Sequence, residues 1–234
     1  NNIFWNVEGR FRPEDIPSEP GSTGWYKMEE TGEINGYAVY GEGTDRLHVA
    51  NNFIGRCRSA GYFVKPVAFR ISGNGRGGTS REARIVNNMF YDCGEAAIKF
   101  PTKDNDSQGN LYVKMPGGYL RILYPAPENC LDLQAWQEFY GFDKEGQEGF
   151  FTVEVDTEKL TLELKKADGL PEMRHHGTGR QNYITEPEKV LPVKASMETA
   201  DAFDGDARGE RRVPGPFAVL ETGRIYELDP RKRK

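Results

Sequence analysis

The chain has 234 residues, with 31 lysines and arginines against 36 aspartates and glutamates, which gives a net charge of −5. That mild acidity gives no general electrostatic reason to bind nucleic acid, since phosphate binding wants a basic face, so no nucleic-acid partner is expected. No apolar run approaches the ~20 residues of a bilayer span, which predicts a soluble chain without membrane insertion.

Only 37% of residues are hydrophobic, and 27 glycines with 14 prolines favour a turn-rich, β-rich fold over a helical bundle. The opening Asn1-Asn2-Ile3-Phe4-Trp5 has neither an initiator methionine nor the basic and apolar regions of a signal segment, so a front trimmed or truncated is expected. Three cysteines, Cys57, Cys93 and Cys130, are too few for a disulfide scaffold and lack a Cys-x-x-Cys spacing. Cys57 and Cys93 are expected close together, as buried free thiols rather than a disulfide.

Taken in chain order, four segments begin alike: Asn2-Ile3-Phe4-Trp5, Asn52-Phe53-Ile54-Gly55, Asn88-Met89-Phe90-Tyr91 and Asn110-Leu111-Tyr112-Val113. They are 50, 36 and 22 residues apart. A step of 22 suits one coil of a parallel β-solenoid, 36 is such a coil with a 14-residue insertion, and 50 is two coils or one with a long excursion. A second column follows in Ala38-Val39-Tyr40-Gly41, Ala68-Phe69-Arg70-Ile71 and Ala97-Ile98-Lys99-Phe100. Strand alternation turns Val39, Phe69 and Ile98 inward and Tyr40, Arg70 and Lys99 outward. Five residues after each aligned asparagine stands an apolar group: Val7, Cys57, Cys93 or Met115. Stacked asparagines suit this architecture, because the residue tolerates left-handed turns and its amide can bond to the one above and below.

Beyond these coils, residues 131–140 read as a short amphipathic helix closed by Gly141, with Leu133, Trp136 and Tyr140 on one face, placed to cover an end or flank of the stack. Residues 150–155 and 159–164 alternate apolar and polar groups and predict a hairpin. From about residue 171 to 206 periodicity fades into an irregular wrap, followed by short strands at 217–220 and 224–228. Arg231-Lys232-Arg233-Lys234 reads as a solvated tail. The expected organisation is therefore all-β: a right-handed parallel β-helix over residues 1–128, and over 129–234 a capping region with a short helix and a few extra strands.

The run Asn87-Asn88-Met89-Phe90-Tyr91-Asp92-Cys93-Gly94, followed by Ala97-Ile98-Lys99-Phe100 and Gly109-Asn110-Leu111-Tyr112, resembles right-handed parallel β-helix proteins of the pectate-lyase-like superfamily. Asp204-Gly205-Asp206-Ala207-Arg208 with Pro214-Gly215-Pro216-Phe217 also resembles the Asp-Gly-x-x-Arg segment near the C-terminal end of many bacterial members. The resemblance implies a secreted, periplasmic or cell-envelope protein, the C-terminal part of such a helix, that meets polysaccharide. The chain lacks the Asn-Thr-Asp, Asp-Asp, Gly-His-Gly and Arg-Ile-Lys strings of polygalacturonase-like hydrolases and the Trp-Ile-Asp-His of well-known pectate lyases. No catalytic residue is therefore carried over from those families.

The residues themselves suggest a groove. Tyr40, Arg70 and Lys99 would place one aromatic ring and two cations along a line able to bind an acidic sugar chain. Arginine would pair with carboxylates, tyrosine would stack on a sugar, and Arg70 or Lys99 could act as the base of a β-elimination. Arg76, in the glycine-rich run Ser72-Gly73-Asn74-Gly75-Arg76-Gly77-Gly78, is a further candidate substrate contact. Asp104, Asn105 and Asp106 follow the Lys99 strand, so Asp104 is a candidate catalytic carboxylate and Asp104 with Asp106 a candidate Ca²⁺ site. His175-His176 lacks ligand spacing, and His48 is expected to make structural hydrogen bonds. The leading expectation is a polysaccharide lyase or glycoside hydrolase acting on an acidic polysaccharide, and the rival is a noncatalytic glycan-binding or structural β-helix.

Overall fold

A computed structural model describes residues 1–7, 37–57, 60–65, 80–94, 96–115, 118–123, 129–169, 183–194 and 210–232. The chain makes successive passes. The first gives β1 (Ile3–Trp5) and β2 (Val39–Glu42), and the second gives β3 (His48–Ala50), β4 (Phe53–Gly55) and β5 (Ala60–Lys65). The third gives β6 (Arg84–Val86), β7 (Met89–Tyr91) and β8 (Ala96–Phe100), and the fourth gives β9 (Asp106–Gln108), β10 (Leu111–Val113) and β11 (Leu120–Ile122). Then come β12 (Asn129–Leu131), the helix α1 (Leu133–Tyr140), β13 (Gln147–Gly149), the hairpin β14 (Phe151–Asp156) and β15 (Thr161–Lys166), β16 (Val193–Lys194), β17 (Arg211–Arg212) and β18 (Ile225–Glu227).

Like strands of successive passes pair with like. The first sheet runs β1-β4-β7-β10-β13, the second β12-β11-β8-β5-β2 and the third β3-β6-β9. Every pairing is parallel except that of β12 with β11. The protein is thus mostly β, built on parallel sheets compatible with a β-helix-like solenoid, with one α-helix among the described residues and smaller antiparallel sheets, β14-β15-β18 and β16-β17, after them. Because Ile3 pairs directly with Phe53, the 50-residue interval is one pass with a long excursion and not two.

The corners explain why asparagine recurs in pairs. Asn51, Asn87 and Gly109 take left-handed backbone angles, φ 57°, 54° and 63°, and turn the chain from the third sheet into the first. Asparagine and glycine accept that conformation at least cost. At Gly109 a Cβ would also lie 2.6 Å from Asn87 Oδ1, so no larger residue fits. The next residue in each pass builds a ladder. Asn2 donates its N–H and Nδ2 to Asn52 Oδ1 at 2.9 and 3.0 Å, Asn52 donates likewise to Asn88 at 3.0 and 2.9 Å, and Asn88 to Asn110 at 2.9 and 3.1 Å. Asn88 and Asn110 also donate to the Val49 and Ile85 carbonyls, both at 2.9 Å. The Asn52, Asn88 and Asn110 amides are buried, and burial without partners would cost about 1–3 kcal/mol per group.

Two cores follow. Inside the passes, Ile54, Phe90, Tyr112, Cys57, Cys93, Ile98, Phe100, Leu120 and Ile122 pack together, and Leu133, Trp136 and Phe142 join them from the cap. Asp132 caps α1 by accepting the Ala135 N–H at 2.8 Å, and Gly141 ends it at φ 69°. Trp136 reaches under the last pass, stacking on Phe100 and donating to Ser107 Oγ at 2.9 Å. The second core lies on the outer face of the first sheet, where Phe53, Met89, Tyr91, Leu111 and Val113 are covered by Phe151, Val153, Leu162, Leu164, Val190, Phe217, Leu220 and Tyr226. With both faces buried, β4, β7 and β10 are buried at every residue, as their unbroken apolar runs require.

Two expected strands need correction. The second column was expected to run through 68–71, which lie outside the described residues. The strand between β2 and β8 is instead β5, with Tyr40 in register with Phe63 and Phe63 with Lys99. Residues 217–220 form no strand: Phe217 and Leu220 serve as core groups in an irregular segment, while the last expected strand is present as β18.

Candidate functional site

Since the C-terminal segment covers the outer face of the first sheet, the outward positions it leaves uncovered belong to the second and third. On the second sheet Lys99 pairs with Arg121. Both are half-buried and alternate with fully buried Ile98, Phe100, Leu120 and Ile122, which makes theirs the outer register position. Tyr40 and Phe63 occupy the same position. The register line is therefore Tyr40, Phe63, Lys99 and Arg121, with about 4.8 Å between neighbouring backbones. Tyr40 and Lys99 fall in one column as expected, two strands apart, with Phe63 in the place assigned to Arg70. Arg70 and Arg76 lie outside the described residues, as do His175, His176 and the 204–208 segment.

The loop 101–105 turns the chain from β8 on the second sheet to β9 on the third. Asp106 opens β9 in register with Arg84, which pairs with His48, so a second titratable line, His48-Arg84-Asp106, runs along the third sheet. Lys99 and Asp106 thus belong to different sheets that meet at this corner. Asp104 is exposed there, its carbonyl accepting the Glu82 N–H at 2.7 Å. Directly beside it are the exposed ion pairs Arg81–Asp45 and Arg46–Glu82, both at 3.0 Å, which contribute little stability in solvent. Asn105 is buried, and its amide is spent on the backbone. Oδ1 accepts the Ala83 N–H at 3.1 Å while Nδ2 donates to the Thr102 and Ser80 carbonyls at 3.0 and 3.5 Å. Among the described residues no three His, Cys, Asp or Glu side chains converge at metal-binding distance.

His48 is the first residue of β3 itself, and its Nε2 is buried without a hydrogen-bond partner. Burial, reinforced by the Arg84 charge, holds its imidazole below the usual histidine range.

The carboxyls with raised affinity for protons lie elsewhere, inside the stack. Asp143 ends the asparagine ladder: it accepts the Asn110 N–H at 3.0 Å, Asn110 Nδ2 at 2.8 Å and the Tyr112 hydroxyl. Fully buried, it is pushed up to about 6 by desolvation, against the opposing pull of those three donors. A tight turn from Asp143 to Gly146 brings its carboxyl into the column, and a Cβ on Gly146 would stand 2.8 Å from the carboxyl carbon. Glu148 on β13, in register with inward Tyr112, accepts the Tyr119 hydroxyl and is likewise raised by burial. Burial pushes both tyrosines well above the usual phenol range. Asp143 is 0% exposed and meets no solvent face, so its role is to close the ladder by accepting from Asn110 and Tyr112. A cavity of about 440 Å³ beside β1, between Trp5 and Leu160, has no titratable group in its wall.

The sequence reading missed Arg121, the His48-Arg84-Asp106 line, Asp143 and Glu148. A signal for the first two was present. Phe63, Lys99 and Arg121 each stand eleven residues after a ladder asparagine, and His48, Arg84 and Asp106 each stand four before one. Asp143 has no such signal, because its turn shifts it out of the column's spacing. Compared with protein-family models, with curated proteins and with solved structures, the chain has no match in any of the three.

Proposed function

We propose that the chain is a stretch of right-handed parallel β-helix, similar to the pectate-lyase-like superfamily, that holds an acidic polysaccharide along the outer face of its second sheet. The observation that carries the reading is the register line Tyr40, Phe63, Lys99, Arg121. It sets two aromatic residues and two cations at strand spacing on the sheet next to the corner bearing Asp104. Adjacent coils repeat at about 4.8 Å, close to the advance of one sugar along an extended chain. Successive uronates could thus meet Lys99 and then Arg121 as point-charge and forked carboxylate partners. Such a protein works outside the cytoplasm, where acidic polysaccharides are met. Binding without catalysis is the reading favoured here, because the raised carboxyl Asp143 is fully buried and Glu148 sits on the first sheet, away from this line.

The test is binding of the chain to polygalacturonate, alginate and a neutral glucan, with unsaturated uronates and new reducing ends followed in parallel. The expected result is salt-sensitive binding to the two acidic polymers alone, weakened at least tenfold by Lys99→Ala with Arg121→Ala. Binding that ignores that double change, or no binding at all, overturns the reading. Unsaturated products would make the protein a lyase, and reducing ends without them a hydrolase, with Lys99 and Asp104 the first residues to replace.

A further inference from the structure

We infer that Cys57 and Cys93 are a cross-coil disulfide pair, two thiols held ready for oxidation to a covalent staple between the second and third passes. This goes beyond the polysaccharide reading and does not rest on it. Gly55 pairs with Tyr91, and each cysteine lies two residues further on, past a left-handed corner residue, Arg56 or Asp92. Backbone bonds bracket the two: the Arg56 N–H donates to the Tyr91 carbonyl at 2.8 Å and the Gly94 N–H to the Cys57 carbonyl at 3.0 Å. The parallel ladder therefore continues through the corner and holds the two residues side by side. Neighbours at strand spacing fall within the Cα separation of about 4.4–6.8 Å that a disulfide accepts.

The sulfurs also share one interior. Both side chains turn into the interior, at 1% and 2% exposure. Cys57 Sγ lies 4.0 Å from the Gly55 carbonyl, and Cys93 Sγ leans toward the coil of its partner, 3.7 Å from the Ile54 carbonyl. In the folded chain Cys57 and burial push the Cys93 thiol up.

The co-reactant is a small disulfide or the disulfide of a dithiol oxidase. The Cys57 thiolate attacks one of its sulfurs, forming a mixed disulfide and expelling one thiolate. Cys93 then gives up its proton and attacks Cys57 Sγ, expelling the second. The protein loses two hydrogens and the co-reactant becomes two thiols. Burial makes the reaction one of the folding chain, before the coils close over the sulfurs. The bond would span 36 residues of sequence, long enough for a marked effect on the unfolded state.

The full chain carrying Cys130→Ser, which removes the exposed third thiol, is produced once with export to an oxidising compartment and once in a reducing cytoplasm. Intact mass, thiol alkylation in denaturant and peptide mapping are read on each. The exported protein is expected to be two hydrogens lighter, to resist alkylation, to yield a Cys57–Cys93 linked peptide, and to melt about 5–10 °C above its reduced form. As a second route, the reduced protein is unfolded and refolded in oxidised and reduced glutathione. Two alkylatable thiols in folded protein from both routes overturn the inference, as does a linked form that melts below the reduced one.

Discussion

Asp143 occupies an unusual position for a carboxylate: three donors point at it, yet it is wholly desolvated and near Asp106, and desolvation prevails. Its affinity for a proton in the folded state, at about 6, exceeds the ordinary 3.8 of the unfolded chain. Folding therefore favours the protonated acid. The associated stability is fully present below about pH 4 and is lost as pH rises through about 6, a change on the order of 3 kcal/mol. Asp143→Asn keeps an oxygen for the Asn110 N–H and turns an amide toward the Tyr112 hydroxyl, which can accept, at the pH-independent cost of setting that amide against Asn110 Nδ2. Other groups titrate in the same range, so the informative quantity is the difference in unfolding free energy between variant and parent, from urea titrations at several pH values. That difference should shift in favour of the variant between about pH 4 and 6 and be level above. A difference that does not change with pH would show that folding leaves the proton affinity of Asp143 unshifted.

At the level of strands, the register of the second sheet decides which residues form the outer line, and it is open to a direct check. In the Cys57→Ser, Cys93→Ser, Cys130→Ser background, a Phe63→Cys, Lys99→Cys pair should crosslink with a short bifunctional reagent. A Tyr40→Cys, Lys99→Cys pair should need a reagent about one strand spacing longer. Equal behaviour of the two pairs would place some other strand between β2 and β8. The difficulty with this sheet is instructive about what the sequence makes legible. The ladder asparagines fix local geometry by their own chemistry, so the first sheet and its corners are readable from spacing alone. The helix is equally readable, because Asp132, Trp136 and Gly141 supply cap, core face and stop within one short segment. Ala68-Phe69-Arg70-Ile71 looks like Ala97-Ile98-Lys99-Phe100 letter by letter, but the position of β5 is set by its distance from the corner. Ala60 and Ala96 both follow their ladder asparagine by eight residues. Likeness of side chains misled where a count from the corner would have succeeded. Asp143 and Glu148 were not legible at all, since their environment is made by a turn and a cap arriving from distant sequence.

For the molecule as a whole, the decisive feature is that both cores cross residue 128, where composition alone draws a boundary. Leu133, Trp136 and Phe142 complete the interior of the passes, and Phe217, Leu220 and Tyr226 complete the outer face of the first sheet. Neither part can bury its apolar surface alone: the short strands of the first sheet are apolar on both faces, and the hairpin β14-β15 has its inward row of Phe151, Val153, Leu162 and Leu164 against them. Solenoids built from nearest-neighbour contacts can melt piecemeal, because each repeat touches only the next. Here the C-terminal segment runs along the stack and touches strands of several passes at once, which couples them. The passes and the C-terminal segment are therefore expected to unfold together, with a calorimetric enthalpy close to the van't Hoff value. A chain ending at residue 182 loses Val190, Phe217, Leu220 and Tyr226 from this contact. It should then expose a patch larger than soluble monomers carry, bind a hydrophobic dye and elute as aggregates in gel filtration. Two resolved transitions in the full chain, or a monomeric truncated chain with a native β spectrum, would show instead that the passes stand without their cover and that the outer face of the first sheet tolerates water.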